Sequence, residues 1–306
     1  MFKSFGKRIA LLGALVVGSA GMTFAGETQS NGSLSLNPVM LAEEAVPKKL
    51  TGDAGVTFLS DYISRGIQLE NQGLIAQPYA DLYFSLYDSD GPVKNITATI
   101  GIWNSLHTST EFAADKSFSN WYEFDWDIAA MATVGDFSLR LMYIEFTSPS
   151  NAFGRAKNVE FKVGYDDSKL AEKYYKYALS PYALIFFETD GKAGTGNGLG
   201  QYVELGIGPS YKIDDIQKLV FPLFIGLGLG SFYGNADGDQ FYGYTAGGVT
   251  YYRSLTFLSD KGYGSWTLGV GGLLYHFGAG TRTANQGAGT GAAFDLVGTV
   301  SLGVTF

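Results

Sequence analysis

Hydrophobic residues alternate with small or polar ones along most of the chain after residue 53. The segment 121–134 shows this most clearly, because its hydrophobic and its acidic residues occupy alternate positions. The hydrophobic set is Tyr122, Phe124, Trp126, Ile128, Ala130, Ala132 and Val134, and the acidic set is Glu123, Asp125 and Asp127. Successive side chains of a β-strand point to opposite faces. A period of two therefore predicts strands that are apolar on one side and polar on the other.

The alternation recurs in about twelve segments, and bacterial outer-membrane barrels have an even number of strands. The segments are 54–65, 76–87, 94–106, 121–134, 137–147, 158–167, 178–189, 200–212, 218–231, 241–254, 263–277 and 292–306. Short turns follow the second and fourth of them, whereas longer connections follow odd-numbered ones at 107–120, 148–157, 190–199 and 278–291. The sequence predicts an all-β fold, a single closed antiparallel transmembrane β-barrel with both termini in the periplasm.

Three points leave alternatives open. A soluble sandwich would also alternate, with its apolar faces packed on each other. Strict alternation places Glu145 on the apolar face of its strand. This position requires either a bulge in the strand or a location at the level of the lipid headgroups. The seventh and tenth segments fit either orientation.

The first 52 residues do not alternate. Residues 1–25 combine a basic start, a short apolar stretch and the small-x-small sequence Thr23-Phe24-Ala25, which predicts a cleaved signal peptide. Cleavage after Ala20 is the other possible site. Residues 26–52 are polar and predict a flexible periplasmic segment, with a partial plug as the alternative, and residues 53–306 form the barrel.

Composition narrows the function. Gly makes up 42 of 306 residues, about twice the usual roughly 7%, and aromatic residues reach 15%, as expected for a barrel with close backbone contacts and aromatic girdles. The net charge of −8 argues against a nucleic-acid partner. The chain has no cysteine, which excludes disulfides and a lipid-anchored amino terminus. Nothing in the sequence indicates a cofactor or a metal site.

A run near the start of the barrel carries a family resemblance. Ser60-Asp61-Tyr62 is followed by Arg65-Gly66, and later come Gly101, Trp103 and Ser105, a strand with Glu123 and Asp125, and the stretches 158–160 and 202–206. The chain resembles the TorF-type porin family over most of 54–306, departing from it at Ser64, where relatives usually carry an aromatic residue. The resemblance implies an outer-membrane barrel and a porin.

If the polar faces line a pore, acidic residues dominate it. The predicted pore-lining residues are Asp61, Arg65, Asp81, Glu123, Asp125, Asp127, Arg140, Glu160, Lys162, Glu204 and Asp295. Asp61 and Arg65 are expected to share one strand face, because four residues separate them. Carboxylates along a pore favour cations. The prediction is a narrow porin for small hydrophilic solutes with a modest cation preference.

Two other functions remain. Twelve strands lie between the filled interiors of small barrels and the open pores of large ones, so a closed structural or adhesive barrel is the main alternative. An outer-membrane lipid hydrolase is the other, because His107-Thr108-Ser109 places a base near a nucleophile with Glu111 nearby. The spacing is common by chance, and the prediction is that the protein is not an enzyme.

The carboxyl terminus predicts how the barrel is assembled. The last strand has one apolar face, which ends in an aromatic residue. Its members near the end are Val300, Leu302, Val304 and Phe306. This pattern resembles the signal that the barrel-assembly machinery recognises on outer-membrane proteins. Outer-membrane lipids are the expected surroundings, with weak contacts to lipopolysaccharide at the exposed turn 235–239.

Overall fold

The chain is described from a computed structural model that covers residues 49–109, 118–174, 177–259, 261–287 and 291–306. The predicted signal peptide, most of the predicted periplasmic segment and Glu111 lie outside these residues. In the described ranges, no helix is both long enough and apolar enough to span a bilayer.

Strands dominate the described part of the chain. They are β1 (Leu50–Leu59), β2 (Tyr62–Ser64), β3 (Ile67–Glu70), β4 (Ile75–Asp88), β5 (Val93–His107), β6 (Trp121–Val134), β7 (Phe137–Thr147), β8 (Ala156–Tyr165), β9 (Tyr182–Asp190), β10 (Gly200–Ile207), β11 (Ser210–Lys212), β12 (Gln217–Val220), β13 (Leu223–Gly230), β14 (Gly234–Asn235), β15 (Gly238–Asp239), β16 (Tyr242–Ser254), β17 (Ser265–Phe277) and β18 (Phe294–Thr305). The helices are α1 (Ser168–Tyr174), α2 (Thr256–Ser259) and α3 (Ala279–Gly287).

These strands close into an antiparallel barrel of 12 strands, which confirms the predicted fold. The wall runs through β1, β4 to β10, the β12–β13 pair, β16, β17 and β18. β12 and β13 count as one wall strand, because both pair with β16 and only Phe221-Pro222 separates them. Proline has no N–H to give to a ladder, so it interrupts the strand at this point.

The first and last strands close the wall. β1 pairs with β18, and beyond the end of β18 Gly52 exchanges two backbone hydrogen bonds with Phe306, at 3.0 and 2.9 Å. The Phe306 ring covers Gly52: a Cβ atom built on that glycine would lie 2.7 Å from the ring. Closure of the sheet therefore extends to the final residue.

The first strand differs from its predicted bounds. It was expected over 54–65, but it starts at Leu50 and ends at Leu59. β2 and β3 form a separate two-stranded sheet that does not belong to the wall. Asp61 and Arg65 consequently do not share a face of one wall strand.

Alternation sorts side chains between the outside and the inside of the barrel. Hydrophobic residues at the positions that point outward are exposed along the whole wall, among them Ile100, Ile128, Leu141, Phe161, Leu205, Leu223, Val270, Leu274 and Leu296.

Glu145 also lies on the outward face of its strand, β7. β7 pairs with both neighbours without a register shift there, so the bulge alternative is wrong. Arg155 binds the Glu145 carboxylate, with Nη2 to Oε2 at 2.7 Å.

The inward face is more aromatic than alternation predicts. Tyr122 was expected outside, but a bulge opposite Ser105 and Leu106 turns it inward, where it stacks on His107 at a centroid distance of 4.5 Å. In the ninth wall strand, Gly226 was expected to make a smooth inner surface. A Cβ atom there would lie 2.2 Å from the Tyr244 ring, so the glycine provides the space that this ring fills.

Candidate functional site

The interior of the barrel contains a hairpin. β2 and β3 are joined by Arg65 and Gly66, whose φ angles of 47° and 79° are those of a two-residue type I′ turn. Tyr62, Ile63 and Arg65 are almost completely buried. A non-glycine residue with positive φ is uncommon, and such positions often mark functional sites. We call this element the lumen hairpin (residues 62–70).

The tip of the lumen hairpin places a cation among aromatic rings. The Arg65 guanidinium carbon lies 3.9 Å from the centroid of Phe186, 5.1 Å from that of Phe146 and 5.9 Å from that of Tyr202. The rings belong to β9, β7 and β10. In the wall β9 is next to β10, and β8 separates β9 from β7. A cation–π contact removed from water contributes about 2 kcal/mol, so this three-ring cage anchors the tip.

Connections between wall strands hold the rest of the hairpin. Tyr233 donates its hydroxyl to the Arg65 carbonyl at 2.6 Å. In α3, Asn285 accepts from the backbone N–H of Gln68 at 2.8 Å and donates to the Gly66 carbonyl at 3.2 Å. Tyr233 and Asn285 therefore hold the turn and the second strand of the hairpin from connections outside the wall strands.

A carboxylate and three tyrosines lie beside the cage. Glu204 accepts hydrogen bonds from the hydroxyls of Tyr182 at 2.8 Å and Tyr244 at 3.0 Å, and from that of Tyr202. The hydroxyl oxygens of Tyr202 and Tyr244 lie 2.6 Å apart, so either hydroxyl can donate to the other instead of to Glu204. This network orients the Tyr202 ring that faces Arg65.

Most of the charged residues that were predicted to line a pore are buried on the inner wall. They are Asp81, Glu123, Asp125, Asp127, Arg140, Glu160, Lys162 and Glu204. Glu123 accepts from the hydroxyl of Tyr62 at 2.7 Å, which links the wall to the lumen hairpin. Arg140 binds Glu160, with Nη2 to Oε1 at 2.5 Å.

Asp61 and Asp295 are only partly buried and lie on either side of one glutamine. Gln68 donates to Asp295 at 2.6 Å and to Asp61 at 3.4 Å. Burial raises the pKa of the Asp61 carboxyl, and the nearby Asp295 charge adds to that effect, although a hydrogen bond from Ser60 opposes it. These two predicted residues therefore meet through a hairpin side chain.

Several buried polar atoms in the lumen have no hydrogen-bonding partner among the described residues. They include Oδ1 of Asp127, Oε2 of Glu160 and both amide atoms of Asn158. Buried polar groups in native proteins are bonded to protein, water or ions. The interior near these residues is therefore suited to water or small cations. In the described ranges, no group of three or more acidic or histidine side chains is placed to hold a metal ion.

Sequence reasoning missed several lumen residues. Asp53 lay one residue before the first predicted strand and was not among the predicted pore-lining residues, yet it pairs with Asp81 in register and accepts from the Tyr83 hydroxyl at 2.8 Å. Extending the alternation of β1 backwards by one residue would have found it. Glu188 was also missed, and it accepts from the backbone N–H groups of Ala193, Gly194 and Gly200, so it fixes the connection after β9.

His107 has partners other than those expected. Its Nε2 lies 2.8 Å from Oγ of Ser105, and its Nδ1 lies 3.8 Å from Oε2 of Glu70. Serine, histidine and glutamate occur in this order in serine hydrolases. Here Ser105 has no exposed surface, so a substrate has no access to its hydroxyl.

We expect no lipid hydrolysis by the protein. Fatty-acid release from phospholipid vesicles should be the same for the natural chain, Ser105→Ala and Ser109→Ala, because neither hydroxyl has both a base and access to lipid. Release by the natural chain that disappears in one variant would identify that serine as a nucleophile.

Structural comparison aligns the chain with outer-membrane barrels at low sequence identity. The COG4313 outer membrane channel from Pseudomonas putida F1 is 9% identical, with 86% of this chain and 97% of that chain covered and a TM-score of 0.42. A NanC porin structure is 11% identical, with 84% and 98% covered and a TM-score of 0.39. The translocator domain of autotransporter NalP from Neisseria meningitidis is 13% identical, with 86% and 90% covered and a TM-score of 0.36. No protein-family model and no curated protein sequence matches the chain. The TorF-type resemblance stays a prediction.

Proposed function

We propose that this chain spans the bacterial outer membrane as a narrow channel for small hydrophilic solutes, with a modest preference for cations. A closed barrel satisfies every backbone group without water, so it is one of the few folds that can cross a bilayer. The continuous outward band of exposed Ile, Leu, Phe and Val supports a lipid environment. Outer-membrane lipids, lipopolysaccharide and the barrel-assembly machinery are the partners that follow from this location.

The observation that carries the proposal is the charge of the buried inner wall. Acidic side chains outnumber basic ones there: Asp53, Asp81, Glu123, Asp125, Asp127, Glu160 and Glu204 against Arg140, Lys162 and Lys218. A fixed excess of carboxylates within low-dielectric walls attracts cations and repels anions. The unbonded atoms of Asp127, Glu160 and Asn158 favour a hydrated interior, as permeation requires.

One observation favours the second candidate, a closed structural barrel. Glu123, Asp125 and Asp127 are only 4%, 1% and 2% exposed, whereas side chains along an open aqueous pore contact solvent. The lumen hairpin accounts for part of this burial, since Tyr62 binds Glu123 directly. We therefore place the proposed channel in a closed state that opens when the hairpin leaves the lumen.

Ion selectivity tests the cation preference. Reversal potentials of the refolded protein in planar bilayers under a KCl gradient should indicate cation selectivity at low salt. The preference should weaken near 1 M, where the screening length is about 3 Å. Glu123→Gln, Asp125→Asn and Asp127→Asn together should reduce selectivity, because they remove the densest acidic stripe of the wall.

The matched control is Asp88→Asn, Asp214→Asn and Asp215→Asn, which removes three exposed carboxylates at or near the turns. This variant should keep the selectivity of the natural chain. Anion preference of the natural chain would contradict the assignment of the inner wall. Absence of conductance in the natural chain, and also in a variant whose residues 62–70 are replaced by a Gly-Ser linker, would establish the closed structural barrel instead.

A further inference from the structure

The three rings around Arg65 belong to strands of the barrel wall, whereas Arg65 itself belongs to the connection between β1 and β4. Phe146, Phe186 and Tyr202 project inward from β7, β9 and β10, and each of these strands is hydrogen-bonded along its length to its neighbours in the wall. Arg65 is at the tip of a hairpin that is not part of that sheet. Withdrawal of the hairpin would leave the rings in place.

The cage is also built to stay open to a planar cation. Phe146 and Phe186 are stacked nearly parallel, with an interplanar angle of 11° and centroids 6.0 Å apart. Phe232 packs edge-on against Phe186, with centroids 6.3 Å apart, and at an interplanar angle of 39° against Tyr202, with centroids 5.4 Å apart, so it contacts both rings. Glu204 holds the hydroxyl of Tyr202 and so fixes its ring. The surfaces that face Arg65 are therefore preorganised, and a preorganised site loses little entropy when it binds.

We infer that Phe146, Phe186 and Tyr202 form a binding site for small organic cations of the guanidinium type, which Arg65 occupies while the lumen hairpin is in place. The inference rests on the proposed channel function and names a class of solute for it. Aromatic faces attract cations through their quadrupoles, and they select weakly hydrated, planar cations such as guanidinium over compact hydrated ones such as sodium. The excess of acidic residues on the inner wall adds a general attraction for positive charge.

Rescue of Arg65→Ala by guanidinium tests the site. The variant removes the internal cation and leaves the three rings. Millimolar guanidinium chloride should raise the thermal unfolding midpoint of refolded Arg65→Ala above the value in sodium chloride of equal ionic strength, and it should leave the natural chain unchanged. If Arg65→Ala does not refold, Arg65→Gln, which removes the charge but keeps a polar side chain, serves for the same comparison.

Two double variants make the test specific to the cage. Arg65→Ala with Phe186→Leu should bind guanidinium about tenfold more weakly, because it loses the ring nearest the cation. Arg65→Ala with Phe224→Leu alters an equally buried inner-wall phenylalanine outside the cage and should keep the rescue. Equal stabilisation in both double variants, or none in Arg65→Ala itself, would overturn the inference.

Conductance separates the two proposals. Guanidinium that stabilises Arg65→Ala while every variant stays non-conducting would support the binding site and overturn the channel. A conducting Arg65→Ala without stabilisation by guanidinium would support the channel and overturn the site.

Discussion

Replacing residues 62–70 with a short Gly-Ser linker should raise single-channel conductance at least several-fold. These residues form the lumen hairpin, and Tyr62, Ile63 and Arg65 fill space that the wall itself leaves open. The wall should survive the change, because β1 pairs with β4 and β18 rather than with β2 or β3. Planar-bilayer recordings of the refolded protein measure the effect, and heat-modifiable migration on gels verifies that the barrel has formed.

The control replaces residues 234–239, which form the β14–β15 hairpin in another connection at the same end of the barrel. These residues are half-buried or exposed, so their loss should leave conductance close to that of the natural chain. If removal of the lumen hairpin changes conductance no more than this control does, the hairpin is not what closes the lumen.

Deleting Phe306 should strongly reduce the amount of assembled barrel. The residue contributes the last two backbone hydrogen bonds of the β1–β18 seam, and its ring covers Gly52. Two hydrogen bonds contribute about 1–3 kcal/mol to stability. The deletion also removes the terminal aromatic residue of the predicted assembly signal. The yield of heat-modifiable barrel in the outer-membrane fraction measures the result.

Phe294→Ala is the matched control for Phe306→Ala. Both phenylalanines lie at the ends of the last strand on its outward face, and they are 59% and 53% exposed. If the terminal position matters, Phe306→Ala should lower the yield and Phe294→Ala should not. Equal yields would mean that only the general hydrophobicity of the outward face is needed, and the assembly signal would be wrong.

Alternation along the sequence was sufficient to predict the wall of the barrel. The period of two is a local property of a strand, so 121–134 and 137–147 were predicted at the bounds that β6 and β7 have. The turn at Gly135-Asp136 set their pairing, because a two-residue hairpin fixes the register of both strands. Closure followed from the number of strands and the alternation of short and long connections.

Where strand pairing becomes irregular, the sequence gives no signal. Tyr122 has the parity of an outward residue, and only the bulge against β5 turns it into the lumen. The break between Leu59 and Tyr62 is similar, because residues 54–65 alternate well enough to continue as one strand. The chain instead leaves the wall at Ser60, where the backbone N–H still bonds to the Gly298 carbonyl at 3.1 Å.

The contents of the lumen were decided by tertiary structure alone. Arg65 meets Phe146, Phe186 and Tyr202 across 81 to 137 positions of the chain, and His107 meets Glu70 rather than its neighbour Ser109. Alternation assigns a side chain to the inside of a barrel, but it does not say which other inward side chains it contacts. Those contacts depend on strand register around the whole barrel and on the path of the connections. The sequence thus determined the wall and its two faces, whereas the packing of the lumen hairpin and of the three rings around Arg65 arises only when distant strands and a connection meet in the same interior.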